Sequence, residues 1–417
     1  MSVVTLLNET QKQLEKKKNR RRNRKIVKRI IQVAPCSTLL FLCSLVIHIQ
    51  KQHVLNSDDA SFREIYGHNN YNFQSQNFQN IPNNNNNNNN NNGLRTAQNI
   101  PPHNEEFIPL SDQNSTEEIH PKTGLSRYPY TGLADLVQPN SDLQTGFYWQ
   151  IPRSGGTTLK HIISKCLNLV TASRTSVDYC DVERDDLHVC HTRLGSFINA
   201  DTSDNHGIQR SIRINLIPSG MSDVIVSSRL VHALALFDTD HQARAFTVIR
   251  DPIDRIVSTF YYLQNAHWER NYNAKYKDMT LLEYVQGDDV SSDWMIRWLT
   301  GKQNEHFMTE QDLEFAKEIL KEKFLVLVTD EMKTSVDRLI RFMGWEGKVD
   351  EESQKCIEED VSKVGSHNKN LHPDVLVGSE AYDVMKEKNK LDIELYNFAL
   401  GLFSDQWKLV PADKSMS

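Results

Sequence analysis

The 417-residue chain has six cysteines, and no two of them stand at the C-x-x-C spacing of a zinc site. It also lacks the G-x-x-x-x-G-K-[ST] pattern of a P-loop nucleoside triphosphatase. Aliphatic residues are scarce over residues 51–140, where asparagine, glutamine, serine and proline dominate. The first two absences argue against a zinc-binding module and a P-loop nucleoside triphosphatase. The scarcity of aliphatic residues excludes a packed core from residues 51–140.

The amino-terminal 140 residues divide into three segments by composition. Lysine and arginine dominate residues 1–29, no charged residue occurs over residues 30–50, and residues 83–92 are an unbroken run of asparagine. An uncharged, apolar stretch of this length can cross a bilayer, and the basic flank directs its amino end to the cytoplasm. We predict a cytoplasmic basic tail (1–29), a transmembrane signal anchor (30–50) and a disordered Asn-rich stem (51–140), with a glycosylation sequon at Asn114. A cleaved signal peptide is the alternative for residues 30–50, although no small-x-small cleavage site follows them.

A strand, a glycine-containing loop and a helix are predicted over residues 146–166. Three consecutive aromatic residues indicate a buried strand, Pro152 ends it, and apolar residues then recur at helical spacing. Two glycines let the backbone approach an anion, two threonines offer hydroxyl donors, and the helix start adds its N–H groups. The candidate ligands of a phosphate or sulfate are Arg153, Ser154, Gly155, Gly156, Thr157 and Thr158.

A second strand and helix carry basic and hydroxyl side chains at positions suited to another phosphate. Residues 245–249 have the composition of a buried strand, and Pro252 suits the first turn of the helix that follows. Arg250 stands at the end of the strand, and Ser258 lies one to two turns into the helix. Their spacing predicts that the two side chains bind a second phosphate.

The stretches IPRSGGTT (151–158) and RDPIDRIVSTFYY (250–262) together resemble the two cofactor signatures of the sulfotransferase family. They are most similar to those of Golgi carbohydrate sulfotransferases of the heparan sulfate 2-O and 6-O type. The resemblance implies that the first stretch holds the 5′-phosphosulfate of 3′-phosphoadenosine 5′-phosphosulfate (PAPS). It implies that Arg250 and Ser258 hold the 3′-phosphate of the same molecule.

The family resemblance also implies an architecture and an activity. The expected fold is a P-loop-NTPase-like α/β domain over residues 141–417, with a central parallel sheet flanked by helices. The expected activity is transfer of a sulfuryl group from PAPS to a hydroxyl of a glycan, with no metal. The expected location is a Golgi membrane, crossed once, with the catalytic domain in the lumen.

The sequence departs from the family pattern at two positions. Arg153 stands where most members carry lysine, and because arginine keeps the positive charge we expect binding to persist. Counting back from Arg250 places Arg229 where a histidine that acts as base is expected, and arginine cannot act as a base at neutral pH. We therefore predict His232, the nearest histidine, and Arg153 as catalytic residues. Two weaker candidates for the base are His188 and His191.

Three other functions compete with a glycan sulfotransferase. Asp238 and Asp240 follow apolar residues, as the Asp-x-Asp of metal-dependent Golgi glycosyltransferases does, which would imply manganese and a sugar nucleotide. Arg153 and Arg229 would suit a relative that binds PAPS without turnover, and a tyrosylprotein sulfotransferase would share cofactor and topology. We expect no nucleic-acid partner, because that role for the basic tail leaves residues 30–50 unexplained. The acceptor and the oligomeric state stay open.

Several further elements are predicted in the carboxyl-terminal domain. The patterns indicate a loop over 200–215, a helix over 292–300 capped by Gly301, a buried strand over 324–331 and a last helix over 380–402. In that last helix the apolar residues Ile393, Tyr396 and Leu400 are expected to pack. Residues 365–370 are similar to the loop that closes over the cofactor in the family. Cys180 and Cys190 lie close in sequence, so we predict a disulfide between them.

Overall fold

The computed structural model describes residues 130–139, 144–182, 184, 186–267, 269, 272–304, 307–362 and 373–410. The predicted tail, the predicted anchor, most of the predicted stem, the sequon at Asn114 and the loop at 365–370 lie outside these residues.

One sheet organises the described part of the chain. Its strands are β1 (Thr145–Trp149), β2 (Thr171–Ala172), β3 (Val189–Thr192), β4 (Gly195–Ile198), β5 (Val224–Ser227), β6 (Ala243–Ile249) and β7 (Phe324–Val328). They lie in the order β3-β4-β2-β5-β1-β6-β7. Neighbours pair in parallel, except that β3 and β4 form an antiparallel pair at one edge. The predicted α/β class with a mostly parallel sheet is therefore confirmed.

Helices connect the strands and cover the sheet. They are α1 (Gly156–His161), α2 (Arg174–Tyr179), α3 (Asn205–Arg213), α4 (Leu230–Leu234), α5 (Pro252–Leu263), α6 (Leu281–Gln286), α7 (Trp294–Thr300), α8 (Glu310–Lys323), α9 (Met332–Met343), α10 (Glu351–Ser362), α11 (Glu380–Lys388) and α12 (Lys390–Asp405). A π-helical turn (Ile162–Cys166) continues α1 directly.

Both faces of the sheet are buried at its central strands, which explains why β1, β5 and β7 are rich in apolar residues. In β1, Phe147 and Trp149 pack on one side with residues of α4, α7, α8 and α12. Tyr148, between them in sequence, packs on the other side with residues of α1, α9 and α10. The alternation follows from the period of two along a strand.

The topology brings several loops to one edge of the sheet. Because β1, β5, β6 and β7 are parallel, the segments that follow their carboxyl ends meet at that edge. The connection after β1 runs to β2 on one side of β1, whereas the connection after β5 crosses to β6 on the other side. Such a switch point opens a crevice at the carboxyl end of the central strand, where ligands of parallel sheets bind.

Structure begins ahead of residue 141, where the predicted stem ends. Tyr130 is buried and donates its hydroxyl to the Leu299 carbonyl at 2.6 Å. Leu133, also buried, forms an isolated parallel bridge with Ala243 at the start of β6. Residues 130–134 therefore pack on the same domain as the sheet.

Two predicted elements differ in the structure. Residues 200–215 are not a loop throughout, because Asp204 caps a helix, α3, that buries Ile208. The predicted last helix is two helices, α11 and α12, which meet at the buried Asn389. In α12 the buried face carries Leu391, Leu395, Ala399 and Leu402, whereas Leu400 is exposed, contrary to the prediction.

Other predicted elements are confirmed. The helix over 292–300 appears as α7 and ends at Gly301, whose φ of 72° is left-handed, as expected of a glycine cap. The strand over 324–331 appears as β7, and the predicted bridge between Cys180 and Cys190 is present. A second disulfide joins Cys166, after α1, to Cys356 in α10.

The predicted localisation is overturned. Among the described residues, none of the helices has both the length and the apolar character that crossing a bilayer requires. The longest of them, α12, has 16 residues, whereas a membrane span needs about 20. We therefore withdraw the placement in a Golgi membrane with a lumenal domain. Residues 30–50, the predicted anchor, lie outside the described residues.

Candidate functional site

The loop between β1 and α1 contains two residues in the left-handed region of backbone conformation. Arg153 and Gly155 both have positive φ values, 67° and 79°. Glycine adopts this conformation freely, whereas a residue with a Cβ adopts it at a cost. The helix that follows, α1 with its π-helical turn, runs to Cys166 and directs its first N–H groups at the loop.

Inside this loop lies a polar atom without a partner. The Ser154 side chain is fully buried, and its hydroxyl has no hydrogen-bond partner among the described residues. An unsatisfied buried hydroxyl costs about 1–3 kcal/mol, so it is expected to have a ligand. Thr158 is buried in the first turn of α1, and Thr157 beside it is exposed.

The two glycines are packed closely by neighbouring side chains. A Cβ at Gly155 would lie 2.7 Å from the Met332 Cε, and a Cβ at Gly156 would lie 2.8 Å from the Gln150 Nε2. Both distances are below van der Waals contact. The loop therefore keeps its path beside Met332 and Gln150 because both positions are glycine.

The Arg153 side chain joins the two predicted phosphate-binding stretches. Its Nε donates to the Ser258 Oγ at 3.2 Å, across 105 residues of sequence. Its guanidinium lies over the Tyr262 ring, 4.2 Å from the ring centre. Ser258 is itself buried in α5. The structure thus brings the loop after β1 and the helix after β6 into direct contact.

Arg250 reaches the same place from the end of β6. Its Nη1 donates to the Arg153 carbonyl at 3.2 Å, and its Nη2 lies 4.0 Å from Asp254 in α5. Asp251 caps α5 by accepting from the Ile253 N–H at 2.8 Å. Arg250 therefore contacts the loop through the Arg153 carbonyl, and Arg153 contacts the Ser258 hydroxyl. Guanidinium groups are donors that suit a phosphate.

The charges around Arg153 are balanced in part. Burial lowers the pKa of its guanidinium most, and the positive charge of Arg250 lowers the pKa further. Tyr262 and Glu269 act in the opposite direction and raise the pKa. Tyr262 donates its hydroxyl to the Glu269 Oε1 at 2.5 Å. Even with a lowered pKa, an arginine stays protonated at neutral pH, so the site keeps its positive charge.

Arg255 points elsewhere, although its spacing places it on one helix face with Ser258 and Tyr262. Its guanidinium lies 5.1 Å from the centre of the Trp294 ring and 3.9 Å from the buried Asp392 carboxylate. Arg255 therefore supports α7 and α12 and does not join Arg153 and Arg250.

The position of His232, the predicted base, follows from the topology of the sheet. His232 lies in α4, which follows β5, so it is at the carboxyl edge of the sheet together with the loop after β1. It is half-buried. Burial lowers the pKa of its imidazole, and the positive charge of Arg229 lowers it further. The imidazole is therefore neutral at pH 7, the form that can accept a proton.

The alternative site at Asp238 and Asp240 lies at the opposite edge. Both carboxylates precede β6, whereas Arg250 follows it, and a strand of seven residues is about 20 Å long. Asp238 instead closes a local turn, accepting from the N–H groups of Asp240 and His241 at 2.9 and 2.7 Å. The structure does not bring this pair to the crevice.

The weaker candidates for the base are His188 and His191. His188 lies just before β3, the antiparallel strand at the edge of the sheet, and His191 lies within it. The His191 Nδ1 is 2.9 Å from the Ser196 hydroxyl oxygen. Three metal-ligand types also meet at His161, Cys166 and Asp360. Cys166 is bridged to Cys356, however, so it offers no thiolate.

Three residues in or near these contacts were not among the predicted site residues. Tyr262 contacts Arg153, Glu269 accepts from Tyr262, and Lys160 in α1 interacts electrostatically with Glu269. A signal existed for Tyr262, which stands four residues after Ser258 and therefore on the same helix face. Glu269 lies beyond the end of α5, where spacing predicts no contact.

Comparison with known proteins agrees with this geometry. The model of the sulfotransferase family matches residues 147–399, which include both predicted phosphate-binding stretches. The chain therefore belongs to the sulfotransferase family and is a sulfotransferase enzyme. It matches no curated protein.

One solved structure to which the chain is similar is that of mouse sulfotransferase SULT7A1 complexed with PAP. The identity is 14%, the match covers 70% of this chain and 95% of that chain, and the TM-score is 0.32.

Proposed function

We propose that the protein transfers a sulfuryl group from PAPS to a hydroxyl of a glycan. The observation that carries the proposal is the contact between the two stretches. Arg153 touches Ser258 and Tyr262, and Arg250 donates to the Arg153 backbone. A donor with two separate phosphate groups on one nucleoside requires two anion sites held at a fixed distance, and these contacts fix that distance.

The described residues fit this donor. The loop backbone, the unpartnered Ser154 hydroxyl and the Thr158 hydroxyl would hold the 5′-phosphosulfate. Arg250 and Ser258 would hold the 3′-phosphate, each supplying a donor that a phosphate oxygen accepts. Arg153 lies between the two and would contribute its charge to both. No metal ion is required by this assignment.

PAPS supplies an activated sulfuryl group, and the protein supplies position and charge. His232, neutral at pH 7, would take the proton of the acceptor hydroxyl. Arg153 would stabilise negative charge that develops on the phosphate side of the breaking bond. Holding donor and acceptor in line accounts for much of the rate in reactions of this kind.

The first experiment compares ligands by thermal stability. Purified protein is melted alone, with 3′-phosphoadenosine 5′-phosphate (PAP), and with UDP plus manganese. A ligand that binds only the folded state at 100 times its Kd adds about 2.7 kcal/mol of stability, so PAP should raise the melting temperature. Arg250→Ala should lose the shift, whereas Arg213→Ala, at an exposed arginine of α3, should keep it. A shift with UDP and manganese alone would refute the proposal.

The acceptor class needs its own test. Turnover of labelled PAPS is measured with a set of polysaccharides and, separately, with a tyrosine-containing acidic peptide. We expect label to appear on a polysaccharide and the peptide to stay unlabelled. Label on the peptide would show that tyrosine, and not a glycan, is the acceptor. PAP binding without turnover on any acceptor would indicate a member of the family that binds the donor but does not catalyse the transfer.

A further inference from the structure

Four side chains that can bind a metal ion meet where α10 packs on α1 and its π-helical turn. The His161 Nδ1 contacts the Asp360 carboxylate, and the Cys166 Sγ lies 3.9 Å from the Asp360 Oδ2. One ligand atom from each of these three residues lies within 4.8 Å of the other two. Cys356, the disulfide partner of Cys166, adds a second sulfur from α10. These four residues form the α1–α10 cluster, which the proposed function does not use.

The α1–α10 cluster is largely buried but can be reached from solvent. Cys166 and Asp360 are 6% and 5% exposed. The His161 side chain, by contrast, is 29% exposed, and Cys356 is half-buried. A small reagent or an ion can therefore approach the imidazole and the Cys356 sulfur, while the other two ligands lie behind them.

The ligand types and their spacing fit zinc. Zn²⁺ takes thiolate, imidazole and carboxylate ligands in a tetrahedral arrangement, with Zn–S distances of about 2.3 Å and Zn–O distances of about 2.1 Å. A thiolate sulfur and a carboxylate oxygen on one zinc ion are therefore about 3.6 Å apart. The Cys166 Sγ and the Asp360 Oδ2 are already 3.9 Å apart. Calcium and magnesium prefer sites made of oxygen ligands alone, so sulfur and imidazole argue against them.

The disulfide decides whether this set of ligands can act. A metal ion binds the thiolate form of cysteine, and in the bridged form neither Cys166 nor Cys356 offers one. The Cα atoms of the two cysteines are 5.5 Å apart, so both side chains stay in the cluster after the bridge opens. We propose that the α1–α10 cluster binds a Zn²⁺ ion once a dithiol reductant has opened the bridge between Cys166 and Cys356.

The electrons for this step come from the dithiol. One of its thiolates attacks the accessible Cys356 sulfur, the S–S bond breaks, and the electron pair leaves on Cys166 as a thiolate. The second thiolate of the reductant then displaces Cys356, and the reductant becomes a disulfide. Zn²⁺ binds both cysteine sulfurs as thiolates, the Asp360 carboxylate and the neutral His161 imidazole through Nδ1. Protons held by the two thiols pass to solvent.

The bridge and the zinc ion are therefore alternative links between the same two helical segments. Urea unfolding of the full chain tests this directly, because an ion that binds only the folded state stabilises it. Zn²⁺ should raise the urea midpoint of the reduced wild type and leave that of the oxidised wild type unchanged. A midpoint that zinc does not move in the reduced protein would refute the proposal.

A titration then assigns the ion to the cluster. The full chain is reduced with a dithiol, freed of reductant under inert gas, and titrated with Zn²⁺ in competition with a coloured chelator. The reduced wild type should bind one more zinc ion per chain than reduced Cys166→Ala/Cys356→Ala. The same titration with Co²⁺ should show thiolate-to-cobalt absorption that this double variant lacks.

The second disulfide provides the matched control. Cys180→Ala/Cys190→Ala also removes two cysteines, but the Cys180 Sγ faces the Phe197 carbonyl at 3.6 Å and not an imidazole or a carboxylate. This variant, once reduced, should bind zinc in the cluster as the wild type does. Equal zinc binding by reduced wild type and reduced Cys166→Ala/Cys356→Ala would place the ion elsewhere and overturn the proposal.

A single substitution covers the case in which a variant without the bridge fails to fold. His161→Gln keeps both cysteines, so its oxidised form retains the bridge, and circular dichroism of that form checks the fold. Loss of a residue that merely orients a ligand lowers metal affinity by about 10–100-fold, so loss of a ligand should cost about 100-fold or more after reduction. Asp360→Asn should weaken zinc binding in the same way. Undiminished zinc affinity in reduced His161→Gln and Asp360→Asn would show that these side chains are not ligands, and the proposed site would be wrong.

Discussion

Arg153 is the residue on which the geometry of the site depends most. Its φ of 67° is uncommon for a residue other than glycine, and conformations of this kind persist where surrounding contacts determine them. Those contacts come from Ser258, Tyr262 and Arg250. The loop after β1 and the helix after β6 therefore hold each other in place through a single side chain and its carbonyl. An arginine reaches Ser258 and stacks on Tyr262 at once because its guanidinium is planar and carries several donors.

His232 and Arg229 together give a testable pH dependence. A base that takes the proton of the acceptor hydroxyl must itself be unprotonated. If His232 is that base, kcat/KM should therefore rise with pH through the pKa of His232. Burial and the charge of Arg229 both lower that pKa below its usual value of about 6.5. The rise should therefore lie below pH 6.5 in the wild type, and Arg229→Gln should move it to higher pH by removing one of the two causes.

The matching variant is His232→Ala, which should lose turnover and retain PAP binding. A pH profile that does not move in Arg229→Gln, or full turnover in His232→Ala, would assign the base to another group. PAP affinity measured for each variant serves as the control, since neither side chain is assigned to the donor.

At the scale of elements, the strands were predictable and the junctions between helices were not. A strand buried on both faces carries mostly apolar residues, which makes β1, β6 and β7 visible in the sequence, although β6 also buries Arg244 and Thr247. The break at Asn389 depends on contacts with α7, nearly one hundred residues away. Asp392 accepts from the Met295 and Ile296 N–H groups at 2.9 and 3.0 Å, and this reciprocal capping has no local signal.

The residues of the candidate site also divide into those that the sequence predicts and those that depend on the fold. Ser154, Arg250 and Ser258 stand in two contiguous motifs that spacing alone can locate. Glu269 belongs to the site only because the fold brings it to the Tyr262 hydroxyl, whose ring lies under the Arg153 guanidinium. Charge interactions between distant segments depend on folded distances, and a single sequence does not contain those distances.

At the scale of the whole molecule, two disulfides constrain the chain over very different lengths. Cys180 and Cys190 are separated by 10 residues, and their bridge ties α2 to β3. Cys166 and Cys356 are separated by 190 residues, and their bridge joins the helical segment after the β1–α1 loop to α10. A contact between the His161 Nδ1 and the Asp360 carboxylate joins the same two helices next to it. The second bridge therefore connects the helix after β1 to the carboxyl-terminal half of the domain.

The two bridges should differ in their contribution to the free energy of unfolding. In the chain-entropy model a bridge stabilises by restricting the unfolded chain, by about 5 kcal/mol for a separation of 190 residues and about 3 kcal/mol for 10. Urea unfolding under non-reducing conditions is measured for the wild type, for Cys166→Ala/Cys356→Ala and for Cys180→Ala/Cys190→Ala. We expect the first pair of substitutions to cost more. It should also weaken PAP binding, because α1 follows the loop directly, whereas the second pair should leave PAP affinity unchanged. Equal losses of stability in the two double variants would mean that residual structure already restricts the unfolded chain. Unchanged PAP affinity in both double variants would show that Arg153 and its partners alone hold the loop.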